Sequence, residues 1–226
     1  LIEDAAQALF SKYKNQYCGT IGDIGCISFH ETKSLTSCEG GALLINNKKL
    51  IRKASIISNK GTNREYFNNN LIKYYSWQGI GSSFIPSEVT CAILYSQLKN
   101  YKKIIRKRKI IWLNYRKNLF NMNKKKIIKV MNVENKIVQN YHMFYLICRS
   151  QKIRDSIIKA LKKFSIVSTF HYIPLHLSKA GKKYCKYYFR PRITEIISKK
   201  IIRLPLWVGV DQKRVISSLK KVLNVI

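Results

Sequence analysis

One lysine of this chain, Lys33, lies in a short polar segment between a strand-like stretch and a glycine pair. The segment reads Ser28-Phe29-His30-Glu31-Thr32-Lys33, and Glu39-Gly40-Gly41-Ala42 follows it. An acidic segment, Glu3-Asp4-Ala5-Ala6-Gln7, stands upstream. A lysine amine can act as a nucleophile or as a base, and carboxylate and hydroxyl groups can orient a ligand beside it. The three segments therefore predict a catalytic site.

Together these groups are the parts needed to hold pyridoxal 5′-phosphate (PLP). The amine of Lys33 would form a Schiff base with the aldehyde of PLP. An acidic side chain would hold the pyridine nitrogen protonated, so that the ring works as an electron sink. A lone lysine is usually a surface residue, and it is the position of Lys33 between a strand pattern and a Gly-Gly turn that favours a catalytic role.

The elements that position these groups alternate between strand and helix patterns, which predicts an α/β fold. Leu1 and Ile2 predict the end of a buried strand, with Asp4 at the carboxyl edge where open α/β sheets bind ligands. The other predicted strands are 26–29, 42–45, 145–148 and 167–172, and the predicted helices are 5–9, 48–59, 87–121, 152–164 and 211–223. Residues 61–81 are polar and irregular, which predicts a long loop.

Motifs along essentially the whole chain resemble the DegT/DnrJ/EryC1/StrS family of PLP-dependent sugar aminotransferases. The motifs are Glu3-Asp4-Ala5-Ala6-Gln7, Gly19-Thr20-Ile21-Gly22, Ser28 to Lys33, Glu39-Gly40-Gly41-Ala42, Lys60-Gly61-Thr62-Asn63-Arg64, Ile80-Gly81-Ser82-Ser83, His142-Met143-Phe144-Tyr145, Phe170 to His176 and Arg203-Leu204-Pro205-Leu206. The resemblance implies an aspartate-aminotransferase-like fold (PLP fold type I). Residues 1–121 would form the C-terminal portion of the PLP-binding large domain with a long connecting helix, and residues 122–226 the small α/β domain.

The resemblance also implies roles for the residues of the cofactor site. Lys33 would be the catalytic residue, and Asp4 would pair with the pyridine nitrogen; its alternative role is a helix N-cap. Ser28 would bind the cofactor phosphate, or it is an ordinary strand serine. Gln7 would contact the cofactor ring or its hydroxyl, since it lies one predicted helical turn after Asp4.

Five further residues are candidates for substrate binding by the same resemblance. They are His30, Asn63, Arg64, His171 and Tyr172. The ring nitrogens of His30 could instead form hydrogen bonds within their own loop, and Arg64 could be a solvated loop arginine. His171 and His176 are spaced like a metal pair, but no third ligand accompanies them, so no metal site is expected.

The activity implied by the resemblance is transfer of an amino group from glutamate to the 4-keto carbon of a dTDP-4-keto-6-deoxyhexose. Within the family, the likeness is to enzymes of enterobacterial common antigen and lipopolysaccharide biosynthesis. The enzyme would be a homodimer in which the loop 61–81 of one subunit completes the site of the other. Many relatives place an asparagine and an aspartate near position 85, where this chain has Phe84-Ile85-Pro86-Ser87-Glu88.

The family's large domain begins well upstream of Leu1, and the upstream part carries a Gly/Ser/Thr turn for the cofactor phosphate. We therefore expect either a partial sequence or a truncated, non-catalytic remnant as the alternatives to a complete enzyme. A related PLP sugar dehydratase is a further alternative, although such enzymes replace the lysine at the position of Lys33 by histidine.

The composition narrows the range of partners and locations. The formal net charge of +32 could indicate a polyanion-binding module, but the lysines are scattered, so we attribute the charge to composition and expect no nucleic-acid partner. The apolar runs are too short for membrane insertion. The six cysteines show neither C-x-x-C pairs nor zinc spacing, which favours reduced thiols in a cytoplasm.

Overall fold

The chain folds into two units. The computed structural model describes residues 1–125, 127–134, 136–186 and 189–226. Unit 1 contains Leu1–Lys103 and the described residues 136–140, and unit 2 contains Ile104–Glu134 and Tyr141–Ile226. This division falls within a helix near residue 103, whereas the domain boundary expected from the sequence, at residues 121 and 122, stays a prediction.

Unit 1 is built on a sheet of three strands, and its first half also contains a small hairpin. The strands are β1 (Ile2–Asp4), β2 (Lys12–Tyr13), β3 (Gln16–Tyr17), β4 (Ile24–Ser28) and β5 (Gly41–Ile45). The sheet order is β1-β4-β5, with β1 parallel and β5 antiparallel to β4. Among the described residues β1 pairs with β4, and Leu1 and Ile2 are 76% and 71% exposed, so the predicted strand is present but these two side chains are not buried in this chain.

The two faces of this sheet differ. Ala5, Ile27 and Phe29 are buried together on one face and form the small core of the unit. Helix α1 (Ile51–Ser58) lies against the other face, where a cavity of about 570 Å³ is lined by residues of β4, β5 and the helix. Adjacent side chains along β4 alternate between these faces, so Cys26 and Ser28, which flank buried Ile27, lie on the face opposite to the core.

The remainder of unit 1 is helical or looped. Helix α2 (Arg64–Asn68) interrupts the segment predicted as one irregular loop. The ends of that segment approach closely: a Cβ at Gly61 would lie 1.8 Å from the carbonyl oxygen of Gly79, and one at Gly81 would lie 2.1 Å from the nitrogen of Gly61. The crossing therefore requires glycine at both Gly61 and Gly81.

The predicted helix 87–121 is two helices in the structure. They are α3 (Glu88–Lys99) and α4 (Tyr101–Leu119). Asn100 separates them because its side chain donates a hydrogen bond to the carbonyl of Ser96, and its backbone N–H caps the end of α3. Helix α4 runs from unit 1 into unit 2.

Unit 2 is a four-stranded sheet covered by helices. Its strands are β6 (Ile128–Val130), β8 (Phe144–Cys148), β9 (Thr169–Phe170) and β10 (Ile201–Leu204), and its further helices are α5 (Gln151–Lys163), α6 (Lys179–Tyr184), α7 (Arg192–Lys200) and α8 (Gln212–Val225). Strand β7 (Ile137–Val138) belongs to unit 1, where it pairs with β2. The sheet order is β6-β8-β10-β9. The core packs Trp112 and Tyr115 of α4 against Phe144, Ile202 and Leu219.

Most predicted elements are present with shifted ends. Asp211 is the N-cap of α8, since its carboxylate accepts the backbone N–H of Arg214 at 3.0 Å. The predicted strand 167–172 is reduced to Thr169–Phe170. In the part of the chain that the structure describes, no helix is long and apolar enough to cross a membrane.

Candidate functional site

Asp4 and Ser28 lie on the same face of the first sheet, at its carboxyl edge. Asp4 ends β1 and stands opposite Cys26 of the parallel strand β4. Ser28 follows Cys26 by two residues, so its side chain points to the same side as those of Cys26 and Asp4. The carboxyl edge of parallel strands is where α/β folds bind ligands. A carboxylate and a hydroxyl therefore face one region beyond this edge.

The carboxylate of Asp4 is exposed, and only one of its oxygens accepts a hydrogen bond from the described residues. One oxygen, Oδ1, accepts the backbone N–H of Ala6 at 3.2 Å. The helix predicted for residues 5–9 is not formed, because Ala5 and Ala8 each accept a backbone hydrogen bond that closes a turn. Asp4 thus acts as a turn cap with one oxygen, and Oδ2 has no hydrogen-bond partner among the described residues.

The carboxylate of Glu3, the neighbour of Asp4, accepts hydrogen bonds from three backbone N–H groups. Its carboxylate accepts the N–H of Gly19 at 2.8 Å and those of Ile21 and Gly22 at 2.6 Å each. These hydrogen bonds, that from Gly22 foremost, lower the pKa of Glu3 from its ordinary value of 4.5. The turn that Glu3 holds passes very close to β4, since a Cβ at Gly25 would lie 2.0 Å from the carbonyl oxygen of Gly19. Sequence reasoning did not assign a role to Glu3.

Lys33 lies in the loop that directly follows β4. The loop is closed at its base by Phe29, whose N–H donates to Gly40 and whose carbonyl accepts the N–H of Ser37, both at 2.9 Å. A turn inside the loop joins the N–H of Lys33 to the carbonyl of His30 at 2.9 Å. The side chain of Lys33 is half-buried, and its amine makes no hydrogen bond or ion pair with any residue described by the structure.

The ring of His30 is used within the same loop. Nδ1 lies 2.9 Å from the hydroxyl of Thr32 and accepts the Thr32 N–H at 3.2 Å. Nε2 lies 3.5 Å from a carboxylate oxygen of Glu39. Both ring nitrogens therefore contact residues of the same loop, as expected for the alternative in which His30 has a structural role. Its assignment to substrate binding stays a prediction.

The groups at this edge fit PLP. The hydroxyl oxygen of Ser28 accepts the backbone N–H of His30 at 3.3 Å, which leaves its own hydrogen to donate to a phosphate oxygen. Asp4 offers one carboxylate oxygen to a protonated nitrogen, and Lys33 offers an amine without a partner among the described residues. PLP sites supply a lysine amine for the Schiff base and a partner for the pyridinium nitrogen, and the hydroxyl of Ser28 adds one donor for the phosphate.

The three remaining predicted residues of unit 1, Gln7, Asn63 and Arg64, differ in their exposure and in the contacts that they make. Gln7 is exposed, and its carbonyl accepts a hydrogen bond from Asn140 at 2.9 Å. The side chain of Asn63 accepts the N–H of Ser76 at 2.8 Å, so it holds its own loop together. Arg64 is exposed, with its guanidinium 5.9 Å from the ring of Tyr75.

His171 and Tyr172 lie in unit 2, just after β9. Their rings contact each other edge to face, with centroids 5.4 Å apart. Tyr172 is 64% exposed, and Nδ1 of His171 is buried without a hydrogen-bond partner among the described residues. The guanidinium of Arg203, which sequence reasoning did not single out, lies 5.5 Å from the ring of Tyr172. The signal in the sequence was one arginine inside the apolar run of β10.

Other features do not add to this site. A cleft of about 760 Å³ in unit 1 lies between α1 and residues 78–84, and none of the predicted site residues lines it. His176 is paired with Glu195 at 3.3 Å. Over the described ranges, no group of three or more His, Cys, Asp or Glu side chains could hold a metal ion.

Comparisons with known proteins find one family and several relatives. Residues 1–222 match the model of the DegT/DnrJ/EryC1/StrS aminotransferase family. The chain is 29% identical over 189 residues to the UDP-4-amino-4,6-dideoxy-N-acetyl-beta-L-altrosamine transaminase of Campylobacter jejuni, covering 81% of this chain and 47% of the relative. It is 26% identical over 218 residues to the GDP-perosamine synthase of Escherichia coli O157:H7, covering 96% and 55%.

A solved structure supports the fold. The aminotransferase TlmJ from Streptoalloteichus hindustanus superimposes with a TM-score of 0.86 at 24% identity, covering all of this chain and 58% of TlmJ. This likeness confirms the predicted α/β, aspartate-aminotransferase-like fold class. The chain spans about half the length of the curated relatives named here.

Proposed function

Because the chain belongs to the DegT/DnrJ/EryC1/StrS aminotransferase family, we propose that it takes part in PLP-dependent transfer of an amino group to a nucleotide-linked sugar. Members of this family use PLP. The observation that carries the proposal is the shared face of Asp4 and Ser28 at the carboxyl edge. In the next loop, the amine of Lys33 has no partner among the described residues.

The finer form of the proposal concerns substrate and pathway. The amino donor is glutamate, and the acceptor is the 4-keto carbon of a dTDP-4-keto-6-deoxyhexose used for cell-surface polysaccharide. Enterobacterial common antigen is the polysaccharide that the sequence motifs favour. The names of the two relatives refer to a UDP sugar and to GDP-perosamine, which supports a nucleotide sugar as the substrate.

Each residue of the edge then has one task. When bound, PLP supplies an electron sink for the carbon that loses its proton. Oδ2 of Asp4 accepts the hydrogen bond of the protonated ring nitrogen and keeps the proton there. The hydroxyl of Ser28 donates to a phosphate oxygen. Nζ of Lys33 would act as the base that moves a proton from the α-carbon of the amino donor to the C4′ carbon of PLP, and in the second half of the reaction from that carbon to the sugar carbon that receives the amine.

The proposal extends to the residues around this edge and to the assembly. Gln7 contacts the cofactor, and His30, His171 and Tyr172 face the substrate. The protein is a homodimer in which Asn63 and Arg64 of one subunit reach the neighbouring site. The exposed side chain of Arg64 is consistent with this task. The location is cytoplasmic, because nucleotide sugars and reduced thiols are found there.

The experiment that tests the proposal is reductive trapping of PLP on the purified protein. Borohydride treatment of the protein with PLP, followed by peptide mass analysis, is expected to place the phosphopyridoxyl group on Lys33. The Lys33→Ala variant is expected to lose both the label and the visible absorbance of the bound cofactor. Lys48→Ala, which removes an exposed lysine of the same unit, is the matched control and is expected to retain both.

A second arm tests the substrate. The protein, glutamate and PLP are incubated in turn with dTDP-, UDP- and GDP-linked 4-keto-6-deoxyhexoses, and the aminated sugar is measured by mass spectrometry. We expect product with the dTDP sugar. Product with only the UDP or GDP sugar would correct the nucleotide and keep the reaction. An unlabelled Lys33 with labelling at other lysines would overturn the proposal.

A further inference from the structure

The side-chain amide of Asn140 reaches back to a turn near the start of unit 1. Its Nδ2 donates to the carbonyl of Gln7 at 2.9 Å and to that of Leu9 at 3.0 Å. An amide nitrogen carries two hydrogens, so one group satisfies both carbonyls. Asn140 is 6% exposed, so water has little access to replace either bond. Two carbonyls of the turn therefore depend on one buried donor that lies far away in the sequence.

Residues 136–140 bring Asn140 to this turn. Strand β7 pairs antiparallel with β2, with Val138 opposite Lys12. The N–H of Lys14 adds a hydrogen bond to the carbonyl of Lys136 at 3.2 Å. Because this pairing fixes the register between β7 and β2, the backbone sets the position from which the amide of Asn140 extends.

The turn competes with a helix for the same residues. Residues 5–9 have good helix propensity, and in a helix the carbonyl of Gln7 would accept the N–H of Ser11. That N–H instead closes a tighter turn on the carbonyl of Ala8, at 2.8 Å. The amide of Asn140 satisfies the carbonyl of Gln7 in the turn and so favours the turn over the helix.

The end of the turn needs support from its surroundings. Phe10 has a φ of 63°, which is the left-handed region that side-chain-bearing residues rarely adopt. The ring of Phe10 stacks on that of Tyr101, with centroids 4.3 Å apart. The bond from Asn140 to the carbonyl of Leu9 holds the peptide group directly before Phe10. Loss of the amide is therefore expected to let this segment relax.

We propose that Asn140 is a positioning residue for Asp4, and that it acts by holding the turn 5–10. The inference rests on the proposed function for the role of Asp4 at the cofactor. In the turn, Asp4 uses Oδ1 for the N–H of Ala6 at 3.2 Å. As the N-cap of a helix, Asp4 would also accept the N–H of Gln7, which would draw Oδ2 toward the backbone. The amide of Asn140 thus keeps one carboxylate oxygen available to a ligand.

The hold on the turn is tested without PLP, by amide hydrogen exchange. Asn140→Ala removes both donors, and Asn140→Asp keeps the shape but replaces the donor by an acceptor. In both, the N–H groups of Ala8 and Ser11 are expected to exchange about tenfold faster than in the wild type. Asn140→Gln keeps the donors on a longer stem and is expected to exchange at an intermediate rate. Gln16→Ala, which removes an exposed amide of β3, is the control and should exchange as the wild type does.

The effect on Asp4 is tested with PLP bound. Asn140→Ala is expected to resemble Asp4→Asn: kcat falls about tenfold or more, whereas the Kd for PLP changes by less than about threefold. The visible absorbance of bound PLP is expected to shift in the same direction in both variants, because both alter the partner of the ring nitrogen. The double variant Asn140→Ala/Asp4→Asn is expected to lose no more kcat than Asp4→Asn alone, since the two residues act through one group.

The outcomes separate this inference from the proposed function. Unchanged exchange at Ala8 and Ser11 in the variants that fold would overturn the inference, and Asn140→Gln decides if the other two do not fold. Faster exchange with additive losses of kcat, or with an unshifted absorbance, would show a structural role only and would overturn the link to Asp4. A wild-type protein without label on Lys33, whose turn loosens in Asn140→Ala, would count against the proposed function and leave the hold of Asn140 on the turn in place.

Discussion

Gly22 donates its backbone N–H to the carboxylate of Glu3 across 2.6 Å, although the two residues are 19 positions apart. Through this bond and two others, Glu3 ties the turn before β4 to the strand that carries Asp4. Glu3 is therefore a positioning residue for the neighbouring carboxylate, and Asp4 is the residue available to a ligand.

Glu3→Gln is expected to remove an acid-sensitive part of the stability. The folded-state pKa of Glu3 is lowered, so the carboxylate stabilises the protein above its ordinary pKa of 4.5, and this contribution is lost as pH falls through the lower folded value. Urea midpoints measured across this range should differ between wild type and variant near neutral pH and converge in acid. Glu31→Gln, an exposed glutamate, should follow the wild type; a constant difference at every pH would contradict the assignment.

Asp4→Asn is expected to preserve folding and cofactor binding while slowing turnover on the order of 10²-fold or more. The amide oxygen can still accept the N–H of Ala6, but a neutral side chain no longer holds the proton on the ring nitrogen. The measurement is kcat at saturating PLP, with the thermal midpoint as the folding control. Turnover within a factor of about two of the wild type would mean that Asp4 serves only as a turn cap.

Arg64→Ala and Lys33→Ala subunits are expected to complement each other when mixed. If Arg64 acts on the neighbouring subunit, a mixed dimer contains one site with both residues. Random pairing then restores on the order of a quarter of wild-type activity. Mixing Lys33→Ala with the double variant provides the control, because no intact site can form. Absence of activity in mixtures whose subunit exchange is verified by mass spectrometry would rule out the shared site.

Arg108→Met is expected to destabilise unit 2 by about 1–3 kcal/mol. Buried Arg108 donates to the carbonyls of Tyr141 at 3.0 Å and of His142 at 2.6 Å, and methionine can donate to neither. Burial lowers the pKa of this guanidinium to about 10, so it stays charged at neutral pH. Arg106→Met on the same helix removes an exposed charge and should change the unfolding free energy by less than about 0.5 kcal/mol. Similar urea midpoints for the two variants would contradict the role of Arg108.

The residues proposed for the site could be named from the sequence, and their roles stay predictions, whereas the ends of several helices and strands could not be predicted. Lys33, Asp4 and Ser28 were identified from residue types and from the family resemblance, because carboxylate, hydroxyl and amine groups are visible in the chain itself. The predicted strand and α5 helix of unit 2 were found with small shifts, since Phe144–Cys148 and Gln151–Lys163 have clear periodicity.

Some helix ends and turns depend on hydrogen bonds that the sequence pattern does not reveal. Residues 5–9 have good helix propensity, yet hydrogen bonds of Ala5 and Ala8 close turns instead. Asn100 ends a helix whose apolar pattern continues on both sides. The neighbours of Arg203, Tyr145 and Thr169, could not be predicted either, because they depend on the register of three strands.

The crossing of Gly61 with Gly79 and Gly81 bears on how this protein can diversify. The crossing is made by backbone atoms, with Gly61 accepting the N–H groups of Gln78 and Gly79 at 2.7 and 3.1 Å. Residues 65–75 therefore lie between fixed anchor points, because the backbone crossing and the hydrogen bond from Ser76 to the side chain of Asn63 close the segment. Substitutions and length changes in that stretch are expected to accumulate during evolution while its endpoints stay in place. A substitution at Gly61 or Gly81 is expected to be eliminated by selection.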